Sequence, residues 1–202
     1  MISRLDQFSK LENIIFRLMD EQLSPDLIYH NKEHTQWVIE TVEWLGESEN
    51  ITLYDRFLLR IAALFHDIGF IEAYDGHEEE SCRIATLMLS DLDFLEEEIS
   101  VICELIVATK VPHNPKNILQ EIICDADLDY LGTEDFYIIG DRLRKELILH
   151  GKLSEDLDSW TQYQIRFLDS HRFFTMTSRR LREPVKQEFL RQLKSNTTLG
   201  DV

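Results

Sequence analysis

Leu64-Phe65-His66-Asp67-Ile68-Gly69-Phe70 closes an apolar run that begins at Phe57 and takes in Leu58, Leu59, Ile61, Ala62 and Ala63. A histidine and an aspartate side by side at the polar end of such a run put two metal-capable groups where a buried helix opens into a loop. Burying an unpaired carboxylate or imidazole is costly, so such a pair needs a partner, and a cation is a natural one. The reading of the chain turns on whether other segments supply further ligands.

Outward from that stretch the pattern is helical. Apolar residues recur at i, i+3 and i+4 from end to end, Pro 4 and Gly 7 are both few, and strict alternation is scarce, which implies an all-α helical bundle. About eight to nine helices are expected, because turn signals divide the periodic stretches into that many pieces. They cover 4–21, a segment opening around Tyr29 to Thr35, the run ending at His66-Asp67, and an antiparallel pair from His77 to the prolines Pro112 and Pro115. Four more cover 118–131, 134–149, 155–169 and 173–193. Gly69 is expected to allow a sharp turn. A helix opening at or just before His30 sets His30 and His34 on one face, about one turn apart. Residues 1–195 are expected to form a single domain, with 196–202 a disordered tail.

The net charge of -17 excludes a broad electrostatic grip on a nucleic-acid polymer, which needs a basic surface. A small anionic, phosphate-containing substrate stays compatible if metal ions or a few basic residues give local positive charge. Cys82, Cys103 and Cys124 have no CxxC spacing and read as reduced core residues of an intracellular protein. With no signal peptide and no apolar run near ~20 residues, a cytoplasmic location without membrane attachment is expected. A homodimer is compatible with all of this.

His34, the His66-Asp67 doublet and Asp127 lie on three separate elements. Asp125, Asp127 and Asp129 alternate along a largely apolar helix, so at least one should face inward. Imidazole and carboxylate donors suit Mn, Fe, Zn, Co or Ni rather than calcium, and the absence of cysteine ligands argues against a structural zinc. One or two ions are expected, with His77 and His113 as candidate ligands of the second, where Mg is also compatible.

The ordered set Tyr29-His30-Asn31-Lys32-Glu33-His34-Thr35, Leu64 to Gly69 and Asp125 to Gly132 resembles the HD-domain superfamily of metal-dependent phosphohydrolases. The likeness spans about residues 29–132, and is weaker across the C-terminal helices, where it is to predicted bacterial hydrolases. It implies metal ligation by His34, His66, Asp67 and Asp127, with Asp67 also catalytic. The spacing from Tyr29 to His34 further resembles the start of the catalytic domain of cyclic-nucleotide phosphodiesterases, which implies that His30 is the general acid; an ordinary pKa near neutrality suits it. The implied reaction is hydrolysis, by metal-activated water, of a phosphate monoester or diester of a nucleotide or other small molecule, cyclic nucleotides included. Lys110, Arg142, Arg144 and Lys145 are candidates to hold a remote phosphate. Two other readings stand beside it: a di-iron oxygenase of the same superfamily, and a regulatory or sensing domain that keeps metal without turnover. His150 and His171 read as surface or capping residues, and Phe173 and Phe174 as core.

Overall fold

The computed structural model describes residues 4–198, and among them every regular element is helical. The first half comprises α1 (Arg4–Gln22), α2 (Lys32–Ser48), α3 (Leu53–Phe65), α4 (His77–Ser90) and α5 (Glu96–Ala108). The second comprises α6 (Ile118–Asp127), α7 (Phe136–Leu149), α8 (Leu157–Ser170), α9 (Met176–Leu181) and α10 (Glu183–Thr198). Short 3-10 turns follow α3 and α6, at Ile68–Ile71 and Asp129–Gly132.

α3 forms because Thr52 caps its first turn, its hydroxyl accepting from the Asp55 amide, and because every residue from Phe57 to Phe65 except Arg60 is buried. Each such large apolar side chain stabilises the fold by about 1.5–3 kcal/mol relative to exposure. α1, α2, α4, α5 and α6 close around it into one apolar cluster containing Ile15, Val42, Leu59, Ile102 and Ile122. A second cluster joins Tyr29, Tyr130, Phe136, Leu168, Phe173 and Leu190, packing the C-terminal helices on the end of α6. His34, His66, Asp67 and Asp127 lie where the two clusters meet.

Three local features depart from the sequence expectation. α2 begins at Lys32, so His30 precedes the helix. Asn31 is the cap, its side-chain oxygen accepting from the Glu33 and His34 amides at 2.9 and 3.2 Å, which competes successfully with helix extension toward His30. Gly69 is needed for space rather than for its turn: a Cβ there would lie 2.0 Å from the His77 carbonyl oxygen and 2.7 Å from the Ser81 nitrogen. The stretch 173–193 is not one helix, because the amides of Phe174 and Thr175 turn to the Asp125 carboxylate and Thr175 then caps a new helix at Ser178. Of the expected tail, 196–198 continue α10, and 199–202 lie outside the described residues.

Candidate metal centre

Helix ends converge where the two clusters meet. His34 sits in the first turn of α2, His66 and Asp67 directly follow α3, His77 opens α4, and Asp127 is the last residue of α6. The carbonyl ends of α3 and α6 and the amide ends of α2 and α4 meet here, so the helix dipoles offset one another and the side chains decide what charge the spot holds. The turn after α3 is locked onto α4: Gly69 donates its amide to the Ser81 hydroxyl at 2.9 Å, and that hydroxyl donates to the His66 carbonyl at 2.7 Å.

His66 Nδ1 lies 2.7 Å from the Ala63 carbonyl oxygen, which can only accept, so Nδ1 carries the proton and Nε2 offers a lone pair. That Nε2 is 3.2 Å from His34 Nε2 and 3.2 Å from Asp67 Oδ2, and Asp127 Oδ1 is 3.1 Å from His34 Nε2. His34, His66 and Asp127 can each contribute one ligand atom to a group spanning no more than 4.8 Å. Asp67 Oδ2 is buried and has no hydrogen-bond partner among the described residues. Lone pairs and carboxylate oxygens packed this way repel unless a cation sits among them. Burial works against charge on His66, yet Asp67 and Asp127 outweigh it and hold the imidazolium form well above the usual range. Burial likewise favours protonated Asp127, but His34 and His66 overturn that and hold its carboxyl well down. The cluster therefore favours positive charge, and the N/O donors of His34, His66 and Asp127, with Asp67 beside them, could hold a divalent transition ion.

His77 and His113 differ in what they present. His77 Nδ1 donates to the Tyr74 carbonyl at 3.3 Å, leaving Nε2 free at 3.5 Å from Asp67 Oδ1. His113 instead donates Nε2–H to the Thr109 carbonyl at 3.0 Å, so the nitrogen nearest Asp127 Oδ2, 3.9 Å away, has no lone pair to offer an ion. Burial lowers the His113 pKa, with Asp127 opposing.

His30 lies beside this cluster, its ring centroid 6.0 Å from that of His34. Its Nδ1 is hydrogen-bonded to Glu146 Oε1, and Glu146 Oε2 accepts from the backbone amides of Tyr29 and His30 at 2.7 and 3.0 Å. Nε2 is thereby the nitrogen left for other partners. Burial disfavours charge on His30, but Glu146, with Asp67 and Asp127, raises its pKa above the ordinary value. Phe70 stacks on His30 at 4.4 Å and on His77 at 3.9 Å, fixing both rings.

The sequence reading did not single out Glu146 or Phe70. Glu146 is fully buried on α7, in phase with Phe136, Ile139 and Leu143, and an acid in that apolar stripe was the available signal. Phe70 offered no signal beyond its place after the doublet.

A cavity of about 480 Å3 opens from the cluster, bordered at the polar end by His30, Asp67, His77 and Asp127 and elsewhere by rings such as Tyr130, Trp160 and Tyr163. Lys110 and Lys152 border it, paired with Glu79 and Asp75 respectively. Arg142 lies elsewhere, 2.6 Å from Glu33, lining a separate cavity of about 250 Å3 that reaches His34 and Asp127. Arg144 donates to the Glu155 carbonyl and Lys145 pairs with Asp141 at 2.7 Å; neither borders the main cavity. His150 and His171 follow the last residues of α7 and α8 as caps. Phe173 is core, whereas Phe174 is half-buried. No described helix is long and apolar enough to cross a membrane.

Residues 31–129 match the family model described as HD domain. Among solved structures, a predicted HD superfamily hydrolase from an uncultured Thermotogales bacterium is 19% identical with a TM-score of 0.60, covering 95% of this chain and 91% of that one. Bacillus subtilis YpgQ is 20% identical with a TM-score of 0.64, covering 96% and 97%. Its complex with ADP is 21% identical with a TM-score of 0.62, covering 94% and 97%. At these identities the likeness is one of fold. No curated protein matches the chain at a significant level.

Proposed function

Starting from the finding that this chain belongs to the HD-domain family, we propose that it is a metal-dependent phosphohydrolase acting on a phosphate ester of a nucleotide. The single observation that carries the reading is the meeting of two groups at one end of one cavity. One is the His34, His66, Asp67 and Asp127 cluster; the other is His30, backed by Glu146. The first four residues would hold the ion, with His77 available to a second one beside Asp67. A bound divalent ion supplies a nucleophilic water near neutral pH and draws charge from phosphoryl oxygens.

The chain's own residues do the rest. Glu146 fixes His30 with its proton on Nδ1 and stabilises the imidazolium, so Nε2 can deliver a proton to a departing oxygen at the polar end of the cavity. Phe70 holds the ring in that pose from one side. The ring-lined part of the cavity excludes water and suits a flat heterocycle. Gln164, buried and bordering it, brings a side-chain amide that can read a base edge. Lys110 and Lys152 offer charge to a second phosphate. The ADP complex of Bacillus subtilis YpgQ supports the choice of a nucleotide.

The test is an assay of protein reconstituted with Mn, Mg, Zn or Fe against nucleoside mono-, di- and triphosphates, cyclic nucleotides and simple phosphate esters. Release of phosphate or pyrophosphate from a nucleotide is expected. Turnover of simple esters alone would remove the nucleotide, and no release from any of them, together with oxygen consumption by the iron form, would replace hydrolase with oxygenase.

A further inference from the structure

The one thiol pair in the described structure lies away from the metal cluster, between α4 and α5. Cys82 and Cys103 are 21 residues apart in sequence, yet Cys82 Sγ lies 3.4 Å from the Cys103 carbonyl oxygen and Cys103 Sγ lies 3.7 Å from the Cys82 carbonyl oxygen. These reciprocal contacts hold both sulfurs in one seam, each against the other residue's backbone. Expected from sequence as core residues, both are only half-buried, and both line an open cleft of about 620 Å3. Cys124 differs: it is fully buried and its thiol donates to the Ala108 carbonyl at 3.0 Å.

The pair is chemically unequal. The neighbouring Cys82 and then the Thr86 hydroxyl, 3.6 Å from Cys103 Sγ, hold the Cys103 pKa down against burial, while the same pairing pushes the Cys82 thiol up. The cleft also carries Lys116 and Glu104, and Lys110 there is paired with Glu79, so its charges balance and select no reagent by sign.

We propose that Cys82 and Cys103 are a thiol–disulfide exchange site that accepts a small-molecule disulfide of the glutathione type and closes into a reversible cross-link between α4 and α5. The Cys103 thiolate attacks one sulfur of the reagent, the reagent's S–S bond breaks, and one small thiolate leaves with the bonding pair. Cys82 passes its proton to that thiolate, and its sulfur displaces the second small thiolate from Cys103, which takes a proton from solvent. Two protein thiols are oxidised, one disulfide is reduced to two thiols, and no other reactant is consumed. The link would pin the seam between His77, at the start of α4, and Lys110, just beyond α5, both of which wall the main cavity.

Full-length protein incubated with oxidised glutathione, alkylated and mapped by mass spectrometry tests this. Expected are loss of two thiols per chain, a peptide joining Cys82 to Cys103, Cys124 alkylated only after unfolding, and reversal by dithiothreitol. Cys82→Ser should stop at a glutathione adduct on Cys103, and Cys103→Ser should react at least several-fold more slowly. Absence of the joined peptide from oxidised wild-type protein overturns the proposal whether or not the variants fold. A folded Cys103→Ser reacting as fast as wild type overturns the assignment of Cys103 as the attacking sulfur.

Discussion

Asp125, Asp127 and Asp129 sit two residues apart around the end of α6, and their surroundings divide the molecule into two kinds of region. Asp125 accepts from the Phe174 and Thr175 amides and from the Thr175 hydroxyl, all at 2.8 Å. Asp129 accepts twice from Arg182, at 2.7 and 3.2 Å. Both carboxylates tie the C-terminal helices to α6, and the chain itself supplies their donors. Beside them the fully buried Lys186 lies 3.0 Å from Glu183 and donates to the His171 carbonyl, again an internal settlement. Asp127 meets imidazoles instead, and its neighbour Asp67 keeps a buried oxygen with no hydrogen-bond partner among the described residues. Buried charge is thus self-satisfied in the C-terminal layer and left open to a cation where α2, α3, α4 and α6 meet.

The sharpest way to break that division is Asp127→Ala. It should cost more metal affinity than the roughly 10- to 100-fold typical of an outer-shell partner, and activity should fall with it; retained metal, read by elemental analysis, would erase the distinction from Asp125. His30→Ala comes next. Metal should stay bound while kcat falls about 10²- to 10⁴-fold, less for a substrate whose leaving group needs no proton. An equal deficit for good and poor leaving groups would count against His30 as the acid.

Glu146→Gln probes the same dyad through pH. With His30 raised, activity that needs its proton persists below the raised value and is lost as pH climbs through it. Stability follows the same sign, fully present below the unfolded value of about 6.5 and lost through the folded one. Removing the Glu146 charge should move the alkaline fall of the rate profile to lower pH; an unmoved profile would mean that another group titrates.

Asp125→Asn should do the reverse of Asp127→Ala: metal content unchanged, with stability to urea lower by about 1–3 kcal/mol, since an amide –NH2 now faces backbone donors. Lys110→Ala is the smallest. Its pair with Glu79 is exposed and screened by solvent, so stability should barely move, and a rise in KM at constant metal content would place a phosphate near it.

The open region was the more legible in the sequence. The helical periodicity gave the fold class, and the HD doublet with its flanking motifs singled out His34, His66, Asp67 and Asp127, which the structure brings together. Alternating acids announced that something must face inward, but periodicity could not say that Asp125 would hold a loop nearly 50 residues on, or that Asp129 would find Arg182. Glu146 and Lys186 hid for one reason. Each lies within a charged stretch that reads as a solvated face, while its helical phase places it on the apolar stripe, Glu146 with Leu143 and Lys186 with Leu190. Tertiary partners distant in sequence decided both.

The most direct test of the account is the equilibrium metal content of wild type, Asp67→Ala and Asp125→Asn after identical loading with Mn and desalting. At least one ion per chain is expected in wild type and in folded Asp125→Asn, and none retained by Asp67→Ala. Equal content in all three would contradict this, because the buried oxygen without a hydrogen-bond partner would then have nothing to do with a cation.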